Sequence, residues 1–139
     1  MTPTLDAAMF DALKLEREAV AAQEEALRLR ARALSDADRK AYFRAFRSEI
    51  KDPDTYAVLN WFFLAGLHHM YLGQWLRGGV NLSLMIIGIV LLFGALYFLG
   101  IAIIAGIFCI ELMALFRSQT IVAHYNNLVA ERILSRFSA

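Results

Sequence analysis

The stretch from Thr55 to Phe116, TYAVLNWFFLAGLHHMYLGQWLRGGVNLSLMIIGIVLLFGALYFLGIAIIAGIFCIELMALF, decides the fold, because across its 62 residues only Arg77 and Glu111 carry a formal charge. A soluble domain of this size has too little polar surface left to cover such a run. The chain therefore reads as an all-α integral membrane protein. Its composition agrees: 59% of the 139 residues are hydrophobic, against roughly 45 to 50% in soluble domains. Of the 27 charged residues, 14 basic and 13 acidic, 21 precede Thr55.

Working outward, Thr55 to Leu72 is eighteen residues, roughly 27 Å as a helix, and is expected to be a first span. Tyr56 and Trp61 near one end, with Tyr71 and Trp75 near the other, suit interfacial aromatic belts. A turn from Gly73 to Gly79 carries Arg77, and Val80 to Phe116 follows. That run would extend roughly 55 Å as one helix, longer than a single crossing needs. Gly94 is the expected turn, dividing it into Val80–Phe93 and about Leu96–Phe116. The membrane domain, residues 55–116, is thus a helical hairpin core of two to three embedded helices. Its middle segment either re-enters or extends back through Arg77 to cross.

Residues 1–52 form a polar helical region. Ala, Leu, Glu, Gln, Lys and Arg dominate Asp6 to Leu34, where Leu13, Val20, Leu27 and Leu34 recur every seven residues as one half of a coiled-coil seam. Self-association, packing on the same chain and solvation all remain open for that stripe. Ser35 with Asp36 and Asp38 starts a second helix reaching about Lys51. Phe43, Phe46 and Ile50 are expected on one of its faces, and Lys40, Arg44, Arg47 and Lys51 on another, a basic amphipathic pattern suited to anionic lipid headgroups or to packing on the first helix. Arg39 adds a fifth cation near the first span, against Arg77 alone in the following turn. The excess predicts a cytoplasmic N-terminal region. MTPTLDAAMFDALKLERE lacks the charged-then-apolar opening of a secretory signal, so none is expected. In the tail, residues 117–139, Val122, Val129, Ile133 and Phe137 mark one more amphipathic helix, on a side of the membrane that charge counting leaves open.

A net charge of +1 gives no bulk field for nucleic acid, which is not expected as a partner. The lone Cys109 excludes an intrachain disulfide and a cysteine zinc site. Ser83 and Cys109 have no adjacent base of the kind a hydrolase needs, and no phosphate-cradling loop appears, so the chain is not expected to be an enzyme.

The most distinctive segment is Gly66-Leu67-His68-His69-Met70-Tyr71-Leu72-Gly73, followed by Gly78 and Gly79. It resembles the signature of the TM-two domain family, Gly-x-His-Arg-Phe-Tyr-Leu-Gly with a further glycine. His69 stands in place of the usual Arg and Met70 in place of the usual Phe. Glu111 resembles an acid that the family carries late in its last apolar segment, and Val122 to Asn126 resembles the Val-x-x-Tyr-Asn element of bacterial members. The likeness spans about Thr55 to Asn127. It implies paired transmembrane helices in a bacterial inner membrane, with no agreed activity or ligand.

His68 and His69 are adjacent, so on a helix they diverge by about 100° and are not expected to share a metal. No metal or cofactor is expected. Glu111 lies about five residues inside the final apolar boundary, where an unpaired acid costs roughly 2 to 3 kcal/mol. Its candidate partners are Arg77, His68, His69 and Asn60. Gly100, Ala102, Ala105 and Gly106 make a small-residue face for helix contact. The leading expectation is a membrane-anchored scaffold or interaction module acting through self-association, a membrane-protein partner or anionic lipid. The alternative is an oligomeric ion or proton channel, or small transporter, using Glu111 and His68.

Overall fold

The computed structural model describes residues 16–62 and 66–137, and every regular element among them is helical. The elements are α1 (Arg17–Arg32), α2 (Asp36–Glu49), α3 (Pro53–Phe62), α4 (Leu67–Tyr71), α5 (Trp75–Leu92), α6 (Tyr97–Phe116) and α7 (Ser118–Leu134), with a 3-10 turn at Ser135–Phe137. They divide into two compact units, one made of the described residues of 54–118 and a second of those of 1–53 with 119–139.

In the polar unit α1, α2 and α7 share one core. Leu27 and Ala31 of α1, Tyr42 of α2, and Val129, Ala130, Ile133 and Leu134 of α7 form its buried cluster, with Leu34, Phe46 and Phe137 packed against it. The stripe Val122, Val129, Ile133 is the buried face of α7, and Val122 is 0% exposed. Two side-chain amides tie the helices: Asn127 Nδ2 donates to the Val20 carbonyl at 2.9 Å. Asn126 accepts from the Lys51 backbone N–H at 2.9 Å and donates to its carbonyl at 3.0 Å. Tyr42 stacks on Phe46 at 5.6 Å between centroids, and burial pushes its hydroxyl pKa up, so the ring stays neutral. Truncating Ile133 to Ala should cost about 2–5 kcal/mol, whereas Leu29→Ala should cost about 0.5 or less. Leu29 is 56% exposed, so equal losses in thermal unfolding of the two variants would contradict this core.

This core corrects the seven-residue stripe as an interface between copies. Val20 and Leu27 are buried, and Leu34 packs on the cluster, so the chain's own core uses these positions. Leu13 lies outside the described residues. A single seam, lacking a second apolar column, fits one neighbouring helix, and α7 supplies apolar side chains there.

In the apolar unit α5 and α6 form an antiparallel hairpin turned at residues 93–96. α5 has 18 residues and α6 has 20, roughly 27 and 30 Å, so both are long and apolar enough to cross a hydrocarbon core of about 30 Å. The expected first span is corrected. α3 has ten residues and α4 five, and a left-handed Gly66 at φ 88° stands just before α4. Neither helix reaches across about 30 Å. Arg77, Gly78 and Gly79, expected in a turn, lie in the first turns of α5, which extends back to Trp75. Tyr56 is likewise no interfacial belt residue: it is buried with its ring edge on His68. Trp61 and Trp75 are exposed.

Candidate functional site

Two glycines make the turn that presents the histidines. Gly66 and Gly73 both adopt positive φ, 88° and 76°, which an L side chain rarely tolerates. Between them α4 is a single turn, closed where the Gln74 N–H donates to the His69 carbonyl at 2.9 Å. The turn lies directly on the start of α5: a Cβ on Gly78 would meet Met70 Cγ at 2.7 Å and the Gly66 carbonyl oxygen at 3.0 Å. Gly79 has open space at that point, so of the expected glycine pair only Gly78 forms the contact. Tyr71 is half-buried and follows the histidines at the end of α4.

The same close packing recurs farther along the hairpin. A Cβ on Gly100 would stand 2.6 Å from the Gly88 carbonyl oxygen, so α5 and α6 approach backbone to backbone there. Seven residues back along α5 and eleven on along α6, Asn81 donates to Glu111 Oε1. This register, set by the two glycines, brings an amide to the acid. Of the other expected small residues, Ala102 and Ala105 are exposed and Gly106 faces open space, so within the chain only Gly100 makes the close contact. Gly88, which sequence reasoning missed, is the true partner of Gly100.

Glu111 is 2% exposed and gathers polar groups from three elements. His68 Nε2 of α4 lies 2.7 Å from Oε2, and His69 Nε2 lies 3.6 Å from Oε1. Asn60 of α3 donates to the Glu111 backbone carbonyl at 3.0 Å. His68 itself is 0% exposed and contacts Tyr56 edge-to-face at 5.2 Å. The adjacent histidines, expected to diverge, do not: their ring centroids are 4.0 Å apart and both face one carboxylate. A five-residue helix leaves long side chains free to fold back toward a common point, which divergence at Cα does not prevent. Asn81 was the missed member, although it is the one amide in the apolar α5, and an amide in such a run needs a partner.

The polar unit presents a second feature on α2. Lys40, Phe43, Arg44 and Arg47, spaced three, one and three apart, line one shallow depression and are exposed. Lys40, Arg44 and Arg47 make no ion pair among the described residues. Two expectations change. Phe43 borders both faces, lining the cationic depression and also, with Phe46 and Ile50, a cavity against α1 and α7, and Lys51 lies beyond the helix, which ends at Glu49. Ile50 is extended there, and Pro53 starts the next helix.

No protein-family model matches the chain, and comparisons with curated proteins and with solved structures find no match.

Proposed function

We propose that the chain is a two-pass membrane protein of the TM-two type. In this reading α5 and α6 cross a bacterial inner membrane, and the polar unit is a cytoplasmic module that associates with anionic lipid. Membrane embedding is supported by the outward faces of the hairpin, where Ile86, Val90, Phe98 and Ile110 are each more than half exposed. In water that surface would be a large apolar patch; in acyl chains it is solvated. Two crossings return residues 118–137 to the side on which residues 16–53 lie. The shared core of α1, α2 and α7 supports this, since Leu27 and Ile133 meet only on one side of a bilayer.

The single observation that carries the lipid role is the row Lys40, Phe43, Arg44, Arg47, three uncompensated cations around an exposed ring. Cations near an anionic surface contribute about 1 kcal/mol each, and an aromatic ring inserts among headgroups. Reversing all three to Glu should therefore weaken retention of phosphatidylglycerol by the full chain on the order of 100-fold. Native mass spectrometry of the protein in mild detergent, titrated with phosphatidylglycerol or phosphatidylcholine, reads this directly. Equal retention of both lipids by the unaltered protein would overturn the proposal. Conduction through Glu111 and His68 is the competing reading. It has less support, because both side chains are closed off within the unit, and it requires ion flux in proteoliposomes that falls in Glu111→Gln.

A further inference from the structure

The geometry points to a divalent transition-metal site, of the zinc class, held by His68 Nε2, His69 Nε2 and the Glu111 carboxylate. The three residues each offer a ligand atom, and these lie within 4.8 Å of one another. In a tetrahedral site, bonds of about 2.0–2.2 Å place ligand atoms roughly 3.3–3.5 Å apart. The observed separations of 2.7 Å and 3.6 Å bracket that spacing, so modest side-chain rotation completes the triangle.

A second, independent feature is what these atoms lack. His68 Nε2 and Glu111 Oε2 stand 2.7 Å apart, yet neither has a hydrogen-bond partner among the described residues, and His68 Nδ1 has none either. Buried polar atoms are normally satisfied, and leaving them unsatisfied is costly. A nitrogen and a carboxylate oxygen this close, with no hydrogen bond between them, are placed as ligands are around a cation. A bound ion would satisfy both atoms at once.

The surroundings favour this chemistry. Asn81 holds Oε1 by donation, and Asn60 holds the Glu111 carbonyl, the outer support that orients a metal-binding carboxylate. Two imidazoles and one carboxylate suit zinc, iron(II), cobalt(II) or nickel(II), whereas magnesium and calcium prefer all-oxygen shells. Three protein ligands leave one position for water or another small donor. The ion would join α4 to α6 and so fix the turn on the hairpin.

The test uses the full chain without a histidine tag, in mild detergent, stripped with chelator and then loaded with Zn2+ or Co2+. Elemental analysis should find about one ion per chain, and Co2+ should give the visible bands of a nitrogen- and oxygen-ligated tetrahedral or five-coordinate centre. H69Q and E111Q should each weaken binding by more than the roughly 100-fold upper range for loss of an outer partner. H124Q, in the polar unit, should bind as the unaltered protein does. Excess Mg2+ should not displace the ion. If E111Q does not fold, H69Q decides with the Co2+ spectrum of the unaltered protein, because His69 is 20% exposed and less embedded. Folded protein that retains no ion, or undiminished binding in H69Q, would overturn the site and leave a bare imidazole–carboxylate pair. Either outcome leaves the lipid-binding row of α2 untouched.

Discussion

Replacing Gly100 by alanine is expected to force the α5–α6 hairpin apart. The added Cβ would stand 2.6 Å from the Gly88 carbonyl oxygen and 2.8 Å from the Leu92 nitrogen, and both are backbone atoms. A side chain can rotate away from such a contact; a helix backbone moves only as a whole. Overpacking commonly costs about 1–3 kcal/mol, and this site belongs at the top of that range or above it. At Gly88 the new Cβ would meet Ile104 Cγ1 at 2.8 Å, the movable part of a side chain, so Gly88→Ala should cost less, about 1–2 kcal/mol. Gly106 has nothing within 4 Å, and Gly106→Ala should stay within about 0.5 kcal/mol. Unfolding of the full chain by dodecyl sulfate in mixed micelles, followed by circular dichroism, orders the three. If Gly100→Ala proves as resistant as Gly106→Ala, the backbone contact does not exist.

Glu111→Leu should be of similar or larger effect. It removes the carboxylate that faces two imidazoles and accepts from the Asn81 amide, leaving those polar groups within the unit. Breaking a buried pair from one side costs about 3–5 kcal/mol, because the remaining group is buried alone. Glu111→Gln keeps an oxygen for Asn81 and should cost less, about 1–3 kcal/mol. The decisive comparison is the double variant His68→Leu with Glu111→Leu, measured in chelator so that no ion contributes. Removing both partners should recover part of the loss, with a coupling of about 0.5–3 kcal/mol. Strict additivity of the two single changes would mean that His68 and Glu111 do not interact.

The hairpin was largely legible in the sequence because Val80 to Phe116, with Glu111 its only charge, is longer than one apolar helix needs to be, and Gly94 does stand within the observed turn at residues 93–96. The first expected span was misread for a physical reason. Hydropathy counts residues, and Thr55 to Leu72 has enough of them, but a positive φ at Gly66 and inward polar groups at Asn60 and His68 fold it onto the hairpin instead. The two histidines face the carboxylate and Asn60 bonds the backbone carbonyl; the acid's need for partners followed from its depth alone, and Arg77, His68, His69 and Asn60 were named on that ground. Asn81 was not, since pairing residues 81 and 111 requires the inter-helix register that Gly88 and Gly100 establish. On α2 the period gave the two faces, since Phe43, Phe46 and Ile50 line one cavity; Phe43 stands at the border and lines the cationic depression as well.

The shared core of α1, α2 and α7 bears on the order in which the molecule is made. Leu27, Ala31 and Tyr42 leave the ribosome well before Val129 and Ile133, with the hairpin synthesised in between. The early helices must therefore wait with their apolar faces uncovered until α7 has been made. Maturation of the polar half is in this sense post-translational: its core closes only once nearly the whole chain, hairpin included, has been synthesised.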